Sequence, residues 1–273
     1  MTIISEYLPL LFGLLAAGVL AGLMAGLLGV GGGIVMVPAM ALAFEIIGIG
    51  EQVYQHVAVG TSLAVIIGTG FTSTLAHHKR GAVLVDVLKV WGPYIVVGAL
   101  VGGLMSSMFS GDALRIIFGG VALFVAMNLV LPIQRKLMAT LGGSAITNRI
   151  SAAFIGYVSA LMGIGGGSLS VPTLNAFGNS IHKSVGTGAA LGVMLAIPAT
   201  IGFIIAGIGV EGRPPFSLGY VNIPALLVIG IVAAIMAPFG AALAHRLDQK
   251  QLKIGFGLFL LLVSSRMIWQ AFS

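Results

Sequence analysis

The stretch that decides the fold is Gly29–Pro38, GVGGGIVMVP, and a near-copy follows 134 positions later at Gly163–Pro172, GIGGGSLSVP. Both lie inside strongly apolar sequence, and each pairs a glycine cluster with a proline nine residues after its first glycine. Three consecutive glycines break a helix, because glycine admits backbone angles that other residues avoid and loses most entropy on ordering. Proline has no amide to donate and ends or kinks the helix it enters. In hydrocarbon such a break is costly, since the freed N–H and C=O groups find no water. It persists only where protein or a wet cavity receives them. Two breaks in corresponding places of two halves point to the substrate site of a transporter.

Composition identifies the solvent. Of 273 residues, 58% are hydrophobic and 7% charged, and mean hydropathy is +1.13. A soluble domain carries about 25% charged residues, so this is an all-α polytopic membrane protein whose surroundings are the lipid bilayer. Its 41 glycines suit helices that pack backbone to backbone. With no cysteine, disulfides, thiolate chemistry and cysteine metal sites are excluded. The net charge of +6 comes from basic residues scattered through loops, which argues against a nucleic-acid partner and reports topology instead. No Lys or Arg precedes the first apolar stretch, so that stretch is read as permanent and not as a cleaved signal.

Apolar stretches run over 7–28, 34–49, 56–76, 83–109, 113–132, 146–162, 168–178, 184–209, 222–244 and 251–271. A crossing takes about 20 residues, and the segments after the glycine clusters are too short. Each reads as the second arm of a re-entrant hairpin that turns at the glycines, leaving one hairpin and three crossings per half. The halves match further: His56-Val-Ala-Val-Gly60-Thr61 answers His182-Lys-Ser-Val-Gly186-Thr187, and Leu114-Arg115-Ile116-Ile117-Phe118-Gly119 answers Leu252-Lys253-Ile254-Gly255-Phe256-Gly257. Matched blocks in one order make an internal repeat. The expected organisation is a first repeat over 1–132, a cytoplasmic linker over 133–149 and a second repeat over 150–273, the two inverted relative to one another.

Charge tests that scheme. With the N-terminus outside, Lys79, Arg80, Lys89, Arg135, Lys136, Arg149, Lys183, Arg246, Lys250 and Lys253 fall inside, against Arg115, Arg213 and Arg266 outside. Ten against three is a positive-inside bias, and it puts both termini outside. Full crossings by the short arms would give the same parity.

Where helix resumes after Gly31, Gly32 and Gly33, and after Gly165, Gly166 and Gly167, unpaired amides and the positive helix end point at one spot, as in anion sites. Two half-helices entering from opposite faces would aim both ends at one midplane anion. The competing reading is close packing, and for Gly18, Gly22 and Gly26, spaced by four, packing is preferred. Ser168, Ser170, Thr173 and Asn175 line the second short arm, where the first has Ile34, Val35, Met36 and Val37. Ser168 and Asn175 are candidate contacts, though such side chains also bond their own helix backbone. Thr61 and Thr187, with Ser62, sit one turn into helices flanking the hairpins and are candidate anion donors, or simply glue between helices. His56 and His182, at helix starts near the interfaces, read as interfacial caps or solvated groups, with a proton relay as the competing reading. His77 and His78 point apart on a helix and do not make a metal site.

No carboxylate falls within a crossing: Glu45, Glu51, Asp86, Asp112, Glu211 and Asp248 all lie near span ends. That argues against a cation substrate and leaves the coupling ion undefined. No paired carboxylates, histidine cluster or Walker loop is present, so neither enzymatic catalysis nor a cofactor is expected. A homo-oligomer is compatible with the sequence.

The paired glycine-proline blocks, each followed by a Gly-Thr helix start, resemble the sulfite exporter TauE/SafE family over the whole chain. That resemblance implies movement of small sulfur-containing anions, such as sulfite or sulfonates, with substrate held near Gly31–Gly33 and Gly165–Gly167. The residues themselves imply only a small anion. An uncoupled pore, or a scaffold in which the glycines serve packing, is the competing class.

Overall fold

A computed structural model describes residues 2–28, 32–46, 48, 50–130, 144–244 and 249–272. Gly31, the expected linker up to residue 143, and the charged residues Arg135, Lys136, Arg246 and Asp248 lie outside the described residues. Because hydrocarbon leaves every backbone group to find its partner within the chain, almost everything described is helical. The helices are α1 Thr2–Leu28, α2 Gly33–Ile46, α3 Glu51–His78, α4 Val85–Leu104, α5 Gly111–Val130, α6 Ala145–Met162, α7 Gly167–Ala176, α8 Ile181–Gly207, α9 Ile223–Ala244 and α10 Gln249–Phe272. A 3-10 turn, Met105–Met108, extends α4, and strands β1 Ser217–Leu218 and β2 Val221–Asn222 pair antiparallel in the loop before α9.

Four stretches among the described residues have the length and apolarity to cross a membrane: Val53–His78, Val85–Met108, His182–Gly207 and Ile223–Gly240. The molecule is a multi-pass membrane protein. At a rise of about 1.5 Å per residue, the 10-residue α7 is roughly 15 Å long and the 14-residue α2 roughly 21 Å. Neither matches a hydrocarbon core of about 30 Å. Both begin one residue before their expected starts and end at Ile46 and Ala176, before the expected 49 and 178. Their partners are unequal: α1 runs 27 residues and α6 runs 18.

The two sets of five helices interlock. α1 packs along α9, α4 along α6, α3 along α8 and α5 along α10. Direction follows from which residues meet. Gly18 stands against Val232 and Gly22 against Ala233 and Met236, so α1 and α9 run parallel. Gly98 meets Ala153 and Gly102 meets Tyr157 and Ala160, so α4 and α6 run parallel too. By contrast, Gly60 lies by Phe203 and Gly70 by Val193, which sets α3 antiparallel to α8. Gly119 lies by Ser264 and Ile268 while Arg115 donates to the Gln270 carbonyl, which sets α5 antiparallel to α10.

These seams are glycine seams. A Cβ on Gly22 would stand 2.5 Å from the Ala233 carbonyl oxygen, and one on Gly156 would stand 2.3 Å from that of Ile95. The packing role expected for Gly18 and Gly22 is therefore what the fold uses them for. Outward faces carry Phe12, Phe71, Phe124, Phe154 and Leu262, all exposed, as lipid-facing positions should.

Two polar residues near span ends are buried in the protein. Arg115, expected at the outer end of the stretch 113–132, is buried in the first turns of α5, where it donates to Asp112, to the Gln270 carbonyl and to the Tyr54 hydroxyl. Its planar guanidinium fork serves three acceptors at once, a geometry that a lysine does not present. His56 is buried too: its Nε2 lies 3.2 Å from the Ser106 carbonyl and 3.1 Å from that of Phe109, and its ring stacks on Tyr220. It caps the 3-10 turn at the end of α4, so the capping expected of it is found at a buried helix end. The loop after α8 is ordered as expected, and Arg213 contributes by donating to the Val210 and Gly219 carbonyls.

Candidate substrate site at the glycine turns

Each glycine cluster sits where a helix ends and a short one begins, and the two turns meet. A Cβ on Gly33 would stand 2.5 Å from the Gly163 carbonyl oxygen and 2.9 Å from Ile164 Cα. Gly163, in turn, packs against Val37 of α2 and Val59 of α3. Gly32 and Gly163 have φ of +75° and +68°, the left-handed region that glycine occupies without strain. Gly163 there is the residue that closes α6, its amide bonding the Ala160 carbonyl. Ser62 of α3 donates to the Gly163 carbonyl at 2.8 Å, tying the first half to the second turn.

The turns lie level with the middles of the two long helices. Gly33 touches Ile66 of α3, and Gly166 touches Gly192 and Leu195 of α8. From Gly163 to Ser168 every residue is buried. In the first turns of α2 and α7, the Val35 amide bonds the Gly32 carbonyl and the Ser168 amide bonds that of Gly165; a helix start leaves its remaining first amides without intrahelical acceptors. Pro38 and Pro172 fall inside the same short helices and remove the amides that would bond the Ile34 and Ser168 carbonyls.

The candidate residues divide sharply by what their side chains already do. The Thr61 and Thr187 hydroxyls are both buried, and each accepts a backbone amide at 2.9 Å: Thr61 from Asn222 and Thr187 from Leu84. Those amides introduce α9 and α4. The preceding glycines do matching work: a Cβ on Gly60 would stand 2.6 Å from the Tyr220 carbonyl oxygen, and one on Gly186 would stand 2.5 Å from that of Ala82. The repeated Gly-Thr pair is thus a dock for the fourth helix of the opposite half. Asn175 donates to the Asn179 carbonyl and Thr173 to the Leu169 carbonyl, so both finish their own helix. Gly32, Gly33 and Gly166 are packed against Ala21, Gly163 and Gly192 respectively.

Ser168 is different. It is buried, and its Oγ has no partner in the protein; the same holds for Ser170 and for Ser159 at the end of α6. A buried hydroxyl without a partner costs about 1–3 kcal/mol relative to a satisfied one, and buried polar groups are ordinarily satisfied. A buried hydroxyl of this kind at a helix start can donate to an anion without bringing any buried countercharge. Sequence reasoning singled out Ser168. It missed Ser159, Ser184 and Gln55, which are also buried and unpartnered, because nothing in a local motif distinguishes an unpartnered polar residue from a satisfied one. Among the described residues, no group of three acidic, histidine or cysteine side chains is placed to hold a metal.

The profile of the sulfite exporter TauE/SafE family matches residues 14–267. A probable membrane transporter protein of Haemophilus influenzae is 34% identical over 93% of this chain and 96% of its own length. One of Methanocaldococcus jannaschii is 25% identical over 94% of this chain and 97% of its own. No solved structure matches. With the family profile covering nearly the whole fold, from α1 to α10, the chain belongs to the sulfite exporter TauE/SafE family and is a membrane transporter, not an enzyme.

Proposed function

We propose that this protein is a secondary transporter of a small sulfur-containing anion, sulfite or an organosulfonate, across the plasma membrane, with the solute held mid-membrane where the two glycine turns meet. The observation that carries the reading is the buried, unpartnered hydroxyl of Ser168 in the first turn of α7. Gly165, Gly166 and Gly167 provide backbone amides there, and Gly31, Gly32 and Gly33 the corresponding ones at α2. Thr61, Thr187 and Asn175 act at one remove, holding the helices that frame the turns. The sulfur comes from the family; the residues ask for a small anion.

The transport reading needs two repeats, 1–132 and 150–273, inverted about the membrane plane and joined by the cytoplasmic linker 133–149. It is supported by the antiparallel course of α3 against α8 and of α5 against α10, since equivalent helices of inverted repeats run oppositely. Each repeat is then a glycine-tipped re-entrant hairpin plus three crossings, with both termini outside. Cysteines placed at Thr2, Thr140 and Ser273 in this cysteine-free chain report the topology by impermeant labelling. Labelling of Thr140→Cys from outside intact cells would refute it.

A second reading is favoured by the tightness of the turns. Gly33, Gly163 and Gly166 leave no room for a Cβ, as a scaffold or uncoupled pore built on close packing would also require. The two readings separate in purified protein. Sulfite, thiosulfate, sulfoacetate and taurine are tested by thermal stabilisation and by flux in proteoliposomes. A carrier gives saturable flux and stabilisation by at least one of them, both reduced in Ser168→Ala; a pore gives flux linear in concentration without stabilisation.

A further inference from the structure

Buried polar groups without a protein partner occur in both halves but at different places. The second half has Ser159, Ser168, Ser170 and Ser184. Their counterparts in the first half are Ala25, Ile34, Met36 and Ala58, so the first half has no hydroxyls at the matching positions. It has instead the Ser106 hydroxyl, Arg115 Nε and Gln55, the last fully buried at 0% exposure with neither Nε2 nor Oε1 engaged. The residues on either side are committed elsewhere: Tyr54 to Arg115, His56 to the Ser106 and Phe109 carbonyls. Helical spacing puts Gln55 on one face of α3 with Val59, Ser62 and Ile66. Those three residues make the contacts from α3 to the glycine turns: Val59 and Ser62 to Gly163, and Ile66 to Gly33. Gln55 continues their line one turn toward the start of α3.

A carboxamide holds two donors and an acceptor, and burying all of them unused is strongly disfavoured against an apolar side chain of similar size. A leucine at this place would fold at least as well. We infer that Gln55 is the first half's polar contact for the transported solute, on the route that leads from the α3 N-terminal end of the molecule to the glycine turns. The inference rests on the solute site proposed above. Nε2 donates to an oxygen of the anion, and Oε1 accepts from a water that accompanies it. This supplies the first half with the hydrogen bonding that its apolar arm, Ile34 to Val37, does not provide, and it does so without a buried charge, so the anion is released as readily as it is taken up.

The absence of native cysteine allows a direct test. In Gln55→Cys, a membrane-impermeant sulfonated maleimide should modify the thiol in intact cells or in inside-out vesicles, and methanesulfonate should slow that modification several-fold. Val57→Cys, at the same depth but on another face and equally buried, should stay unmodified. No modification of Gln55→Cys from either side, or equal modification of both, would overturn the inference whatever the solute is. A second arm uses Gln55→Leu in detergent: thermal stability should be unchanged or higher while methanesulfonate binding weakens at least about tenfold. Unchanged binding in Gln55→Leu with weakened binding in Ser168→Ala overturns the role of Gln55 and leaves the proposed site standing. Unchanged binding in both variants overturns the site as well.

Discussion

The two short helices, α2 and α7, occupy corresponding places and share a glycine start and an internal proline, yet they differ in chemistry. Along α2, Ile34, Val35, Met36 and Val37 are buried hydrophobics that join the main core. Along α7, Ser168 and Ser170 stand in the same positions as Ile34 and Met36, buried and unpartnered. What surrounds the arms is matched: Gly60-Thr61 and Gly186-Thr187 dock the opposite fourth helices at almost the same distances. The two halves therefore share these packing contacts, while their two short helices differ in carrying free hydroxyls. Backbone contacts between interlocked helices constrain both copies together, because each dock serves the other half. Side chains facing the interior between the arms carry no such mutual constraint.

The largest expected effect falls on what the two halves share. Gly33→Ala places a methyl 2.5 Å from the Gly163 carbonyl oxygen, a clash with backbone that no rotamer change relieves. Overpacking of this kind costs about 1–3 kcal/mol and at a backbone contact more, so most of the protein should be lost from the membrane fraction. Gly166→Ala should be milder, since its nearest neighbour is the Leu195 side-chain end. Equal, near-normal yield and melting temperature for both variants would break the claim that the turns abut.

Next comes the contrast between the arms. Ile34→Ala removes a fully packed side chain and should destabilise by about 2–5 kcal/mol, read as a lower melting temperature, with solute affinity of the surviving protein little changed. Ser168→Ala should do the reverse. Stability holds or rises, because an unpartnered hydroxyl disappears, and affinity for a bound anion falls by roughly 1.5–3 kcal/mol, the value of a hydrogen bond to a charged group. A stability loss in Ser168→Ala without any loss of affinity would return α7 to the packing role that α2 plays.

The smallest effects test the shared docks. Thr61→Val and Thr187→Val each leave a buried amide, of Asn222 or Leu84, without its acceptor, for a loss of about 1–3 kcal/mol. The two losses should be similar, and the double variant additive, because the sites lie in different docks. Strongly unequal melting temperatures would show that the two docks are not equivalent.

Much of this was legible in the chain itself. Apolar composition and the two glycine-proline blocks dictate helices broken at Gly29–Gly33 and Gly163–Gly167, because hydrocarbon enforces helix and only glycine and proline interrupt it. The matched Gly-Thr pairs marked a place of importance but not its purpose, since a threonine motif looks the same whether its hydroxyl meets an anion or an amide 161 positions away. The burial of Arg115 and His56 was not legible for a related reason. Nearness to a span end in sequence says nothing about which helix covers that end.

What the sequence determined by itself is the membrane setting and the places where helices break, both of which follow from local composition and backbone chemistry. Only the tertiary structure decided that the two turns touch, that the Gly-Thr pairs hold opposite helices, and that Ser168, Ser170 and Gln55 are buried without partners. Each of these depends on which residues of distant segments come together. A hydrogen bond left unmade is a property of the whole surroundings of a side chain, and those surroundings exist only once the two halves have interlocked.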